Sequence, residues 1–159
     1  MEVSDYPTCQ RTYATFRVYP ASLDPADVTA RLGIEPSDWQ RRCESRKPGG
    51  RPAKLHGWFL SSDGVVKSRD VRRHLDWLLS RIAPRAAAIH ALRSDGCRMD
   101  VSCFWVSASG HGGPSVLPAQ MGPLVQLGLE LWFDVYLGDG QDAEPGAAPD
   151  PALKAGPGR

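Results

Sequence analysis

The segment LELWFDVYL, residues 129–137, sets Leu129, Leu131, Phe133, Val135 and Leu137 in strict alternation with Glu130, Trp132, Asp134 and Tyr136. A period of two marks a strand with one buried and one outward face, and a slip of one residue would turn every apolar side chain the wrong way. Two further segments carry that period. In TYATFRVY, Ala14, Phe16 and Val18 alternate with Tyr13, Thr15, Arg17 and Tyr19. In CRMDVSCFWVS, Met99, Val101, Cys103 and Trp105 alternate with Asp100, Ser102, Phe104 and Val106. Strands with a polar side do not suit a wholly parallel sheet, which is covered on both faces. One face of this sheet is therefore expected to be open or only partly covered.

Helical signals lie between the strands. In SLDPADVTARLGI, Asp24 can cap, Pro25 suits the first helical position, Val28 and Leu32 lie four apart, and Gly33 can end the helix. SRDVRRHLDWLLSRI places Val71, Leu75, Leu78, Leu79 and Ile82 on one stripe, and RAAAIHALRS continues it as a second piece kinked at Pro84. VLPAQMGPLVQLG predicts a short helix despite Gly122 and Pro123. Trp39 to Cys43 is expected to pair with HGWFLSS as a hairpin across KPGGRP.

The resulting order is strand, helix, short hairpin, helix, strand, helix, strand. It predicts an α+β fold: one mixed or antiparallel sheet of four to five strands with helices on one face. A ferredoxin-like βαββαβ portion would be followed by a C-terminal αβ unit. Residues 1–138 form one domain in this reading, with 1–11 loose, and the Gly/Pro/Ala-rich segment 139–159 is expected to be a disordered tail.

These elements resemble the bacterial family called domain of unknown function 4279. The resemblance rests on YATFRVY followed by LDPADVTARLGIEPS, on the glycine and tryptophan of HGWFLSS, on HLDWLLSRIAP and on GLELWFDVYLG. It spans residues 13 to 138 and implies a fold rather than a chemistry, because the family brings no catalytic residues to transfer. The chain departs from the family pattern at VLPAQMG, where a polar cap and an acidic first turn are expected.

Composition narrows the function classes. Nineteen Lys and Arg against eighteen Asp and Glu leave a formal charge of +1, so no global field draws nucleic acid or a membrane. No apolar run approaches the ~20 residues of a spanning helix. The N-terminus MEVSDYPTCQRTYATF is polar and acidic rather than signal-like, which predicts a cytoplasmic protein. Cys9, Cys43, Cys97 and Cys103, separated by 34, 54 and 6 residues, fit no zinc or redox template, so neither metal nor cofactor is expected.

Three places could carry function. The glycine loop SASGHGGPS, residues 107–115, lies between a strand and a helix, as phosphate cradles do, but it lacks the Lys of a Walker loop and a GxGxxG pattern. A plain connection is the better reading. The outward sheet face would gather Arg17, Tyr19, Asp100, Glu130, Trp132, Asp134 and Tyr136, carboxylates beside aromatics that could bind a partner or, if burial splits their pKa values, do acid–base work. The third is a basic stretch: Arg41, Arg42, Arg46, Lys47, Arg51 and Lys54 face Glu44 alone, with Trp39 and Trp58 flanking, a composition that can hold single-stranded nucleic acid.

No nucleophile–base pair, metal cluster or cofactor fingerprint stands in the sequence. The leading expectation is a non-enzymatic module that binds another protein, of which an immunity protein would be one form. Nucleic-acid binding through residues 41–54 is the alternative, and a sensor or enzyme using the sheet face is the second. A free strand edge would allow a homodimer.

Overall fold

A computed structural model describes residues 6–137, so the segment expected to be a disordered tail lies outside the described residues. One mixed sheet of five strands carries four α-helices. The elements run β1 (Cys9–Tyr19), α1 (Pro25–Leu32), β2 (Asp38–Gln40), β3 (Gly57–Ser61), α2 (Val71–Ile82), a 3-10 turn (Ala83–Arg85), α3 (Ala86–Ser94), β4 (Arg98–Ser107), α4 (Pro118–Leu127) and β5 (Glu130–Leu137).

The sheet order is β2-β3-β1-β4-β5. All neighbours are antiparallel except β4 and β5, which α4 joins as a parallel crossover. The long central pair β1–β4 runs from Cys9 opposite Ser107 to Tyr19 opposite Arg98, with a register shift between Cys9 and Arg11. Residues 9–11 are therefore paired in the sheet rather than loose. The backbone of Thr8 extends this pairing by accepting from Ala108 at 3.0 Å.

Local chemistry explains the helix ends. Asp24 accepts from the Ala26 amide while Asp27 accepts from the Asp24 amide, a reciprocal capping box, and Gly33 closes α1 at φ 64°. α2 is capped by Asp70 and passes through the Pro84 turn into α3, so the kink falls where proline removes a donor. α4 begins at Pro118 with Gln120 reaching back to the Leu117 amide, a substitute for the polar cap that the sequence lacks.

The expected hairpin is shorter than predicted. β2 holds three residues, with Trp39 opposite Trp58, and beyond it the chain keeps only a single parallel bridge, Arg42 to Ala53. Cys43 takes φ 66°, a left-handed conformation that breaks a strand.

The core lies between the sheet and the helices. Ala14, Phe16 and Val18 of β1, Trp58 and Leu60 of β3, and Val101 and Cys103 of β4 meet the α2 stripe and Ile89 and Leu92 of α3. Phe16 and Trp58 pack edge to face at 6.0 Å. Each such fully buried side chain contributes roughly 1.5–3 kcal/mol. Trp58 also donates its indole N–H to Thr29 Oγ1 at 2.9 Å, which fixes α1 on the sheet.

A polar clamp holds the β3–α2 connection against β1. Ser62 and His74, both buried, stand 2.7 Å apart, Oγ to Nδ1. His74 Nε2 donates to the Ser68 carbonyl at 2.9 Å, and Ser62 Oγ accepts from the Ala14 amide at 2.9 Å. With Nε2 protonated, Nδ1 is left to accept from the serine hydroxyl.

Candidate functional site

The outward sheet face has two ends of different character. At one end a row of side chains crosses three strands. Tyr13 on β1 lies opposite Phe104 on β4, and their rings stack at 4.8 Å with 12° between planes. Phe104 meets Tyr136 of β5 at 5.1 Å. The guanidinium of Arg11 lies 5.4 Å from the Tyr13 ring and 5.7 Å from Phe104, held by Asp63 at 2.9 Å. Tyr136 donates to Asp134 at 3.1 Å. Burial, reinforced by the Asp134 charge, pushes the Tyr136 phenol up, so its hydroxyl remains a donor at neutral pH.

At the centre Arg17 and Asp100 sit directly opposite each other and form a two-bonded pair, Nε to Oδ1 at 2.7 Å and Nη2 to Oδ2 at 2.8 Å. Burial opposes the charge on Arg17, but its hydrogen bonds with Asp100 and the surrounding negative charge outweigh that and raise its pKa. Each group is the other's partner, so Asp100 is poorly placed to act on a ligand as a base. Glu130 lies opposite Asp100 on β5 and is exposed. Asp134, four residues along the same strand, is about 13 Å from Glu130. That separation does not let two carboxylates share a proton.

The far end is closed rather than open. Tyr19, expected to project to solvent, is only 7% exposed because Phe59 of β3 packs edge-on against it at 5.8 Å. Gly57 makes room for this, since a Cβ there would stand 2.5 Å from the Phe59 ring. Arg17 and Arg98 flank the Tyr19 ring at 5.8 and 6.0 Å. Val106, also expected outward, is 2% exposed. The register shift near Cys9 places it opposite Arg11.

The structure thus brings Arg17 and Asp100 together, and Asp134 with Tyr136. It sets Trp132 in the row of Thr15 and Ser102, leaves Glu130 at the sheet edge, and buries Tyr19. The residues that sequence reasoning did not single out are Arg11, Tyr13 and Phe104. The alternation did turn Tyr13 and Phe104 outward, but only the β1–β4 register makes them neighbours.

The basic stretch is partly neutralised. Arg41 binds the Asp24 cap at 2.7 Å and lies 4.6 Å over the Trp39 ring, and Arg46 pairs with Asp38. The guanidinium of Arg41 holds the Asp24 carboxyl below its usual range. Six cations facing Glu44 alone become six facing Glu44, Asp24 and Asp38. Lys47, Arg51 and Lys54 lie on the exposed loop beyond. A shallow cleft of about 260 Å³ opens beside Trp39, between Pro25 and Pro36.

The glycine loop gathers no anion cradle. Ser107 Oγ donates to the His111 carbonyl, Tyr6 donates to the Gly113 carbonyl at 2.7 Å, and Gly112, at φ 84°, packs on Thr8. Four residues separate Gly113 from α4, and at the start of that helix Gln120 Oε1 accepts from the Leu117 amide. Among the described residues, no group of three or more His, Cys, Asp or Glu side chains could hold a metal, and no helix is long and apolar enough to cross a membrane.

A family model described as a domain of unknown function, DUF4279, matches residues 10–138. No curated protein and no solved structure matches the chain.

Proposed function

The chain belongs to the DUF4279 family, a membership that carries a fold and no assigned chemistry, and on that premise we propose that it is a non-enzymatic cytosolic module that binds another protein on the uncovered face of its sheet. The row Arg11–Tyr13–Phe104–Tyr136 carries this reading. Arginine and tyrosine are the residue types that dominate binding energy at protein interfaces, and stacking across three strands holds these before a partner arrives. Tyr136 and Arg11 remain about two-fifths exposed, so a partner has apolar area left to cover. The mutual satisfaction of Arg17 and Asp100 favours binding over catalysis on the same face. Four cysteines without a disulfide, three of them buried, suit a reducing compartment.

Affinity purification of the tagged chain from its native cells tests this. The wild type is expected to recover one partner at a fixed stoichiometry, and the double variant Arg11→Glu/Tyr136→Ala to lose it while staying folded. Recovery of no stoichiometric partner under several growth conditions would reject the reading.

A further inference from the structure

The two edges of the sheet are unlike. The β2 edge is three residues long, flanked by charged side chains and followed by the Arg42–Ala53 bridge. The β5 edge is eight residues long and holds no Lys, Pro or bulge, and its two charged side chains, Glu130 and Asp134, both lie on the outward face. Beside it, α4 contains no charged residue. Leu117 at the N-cap of α4 and Met121 and Val125 within it lie one turn apart, off the buried side formed by Gln120, Leu124 and Leu127, and are 46%, 45% and 78% exposed. α2 packs on β1, inward of β4 and β5 in the sheet order, so the flank of α4 that faces away from α2 lies toward the free side of β5. Val135 and Leu137, on the helix side of β5, are 46% and 73% exposed.

We infer that this edge is a self-association surface: two copies pair β5 antiparallel to β5 about a two-fold axis at Phe133, making one continuous ten-stranded sheet. The charge pattern selects the register. Centred on Phe133, the pairing sets Glu130 opposite Tyr136 and Asp134 opposite Trp132, so each carboxylate meets an aromatic. Centred one residue later, it would set Asp134 against Asp134, which like-charge repulsion disfavours. On the helix side, Leu131 meets Val135 and every opposed pair is apolar. Spacing agrees as well. Strands lie about 4.8 Å apart, so crossover helices seated between β4 and β5 would stand about 10 Å apart across the axis, the distance of packed helices. Met121 then faces its own copy.

The inference does not rest on the protein-binding reading, although Tyr136 belongs to both surfaces. Sedimentation equilibrium of the purified full chain over micromolar to submillimolar concentration gives the test. A reversible dimer is expected. Met121→Lys and Met121→Glu, each at a half-exposed position, should weaken it by about 100-fold with unchanged thermal stability, and an equimolar mixture of the two should restore a mixed dimer. A wild type that stays monomeric throughout, a Met121→Lys chain that dimerises as tightly as wild type, or a mixture that stays monomeric would each overturn the proposal.

Discussion

Arg17 and Asp100 face each other across the two central strands with both guanidinium–carboxylate bonds made, and their side chains are 12% and 19% exposed. A pair so shielded costs most when only one member is removed. Asp100→Leu or Arg17→Met is expected to lower unfolding stability by about 2–3 kcal/mol, and the double variant Arg17→Met/Asp100→Leu by less than either. Urea denaturation of the four proteins checks this. Strictly additive losses would mean that the pair is not coupled.

His74 gives the fold a pH dependence of known sign. Burial lowers its pKa below the ordinary 6.5, although the Ser68 carbonyl, Asp63 and Asp70 pull the other way. Protons therefore bind the unfolded chain first as pH falls. The clamp's contribution is full above about 6.5 and declines as pH drops from there toward the folded-state pKa. Thermal melts from pH 8 to pH 5 should show this decline, and His74→Asn, less stable at pH 8, should flatten it. An unchanged slope would remove His74 as its source.

Gly57 lets Phe59 cover Tyr19, because a methyl at 57 would stand 2.5 Å from the Phe59 ring and 3.0 Å from Gln40. Gly57→Ala is expected to destabilise the fold by about 1–3 kcal/mol and to increase exposure of Tyr19. Near-ultraviolet circular dichroism together with denaturation detects both. The substitution would be silent if Phe59 could move without leaving Tyr19.

Thiol reactivity should follow burial. Cys9 and Cys103 are buried, and desolvation pushes their pKa values up to about 11 and about 12; Cys97 is buried too, and only Cys43 is exposed. At pH 8 a disulfide reagent should titrate one thiol in the native protein and four in urea. Cys43→Ser should bring the native count to zero.

Much of this fold is legible in the sequence because its signals are local. The alternation in residues 13–19, 98–105 and 130–137 reports which face of a strand is wet, and Asp24, Pro25 and Gly33 mark both ends of α1 within ten residues. Contacts between distant segments are not legible in this way. The stack of Tyr13 on Phe104 depends on the register of two strands 91 residues apart, and Arg41 finds Asp24 only because β2 returns beside the start of α1. Tyr19 and Val106 obey the alternation and are still buried, because what covers a sheet face comes from elsewhere in the chain. Composition also overstated the basic loop, since Asp24 and Asp38 lie before it in the sequence and pair with it in space.

Photo-cross-linking in native cells tests the protein-binding face most directly. A benzophenone amino acid at position 13, within the aromatic row, is compared with one at position 81, an exposed site on α2 in the helical layer. Position 13 is expected to give one discrete adduct whose mass differs from that of a dimer of the chain, and position 81 to give none. Absence of any adduct from position 13, or the same adducts from both positions, would contradict a partner-binding role for this sheet face.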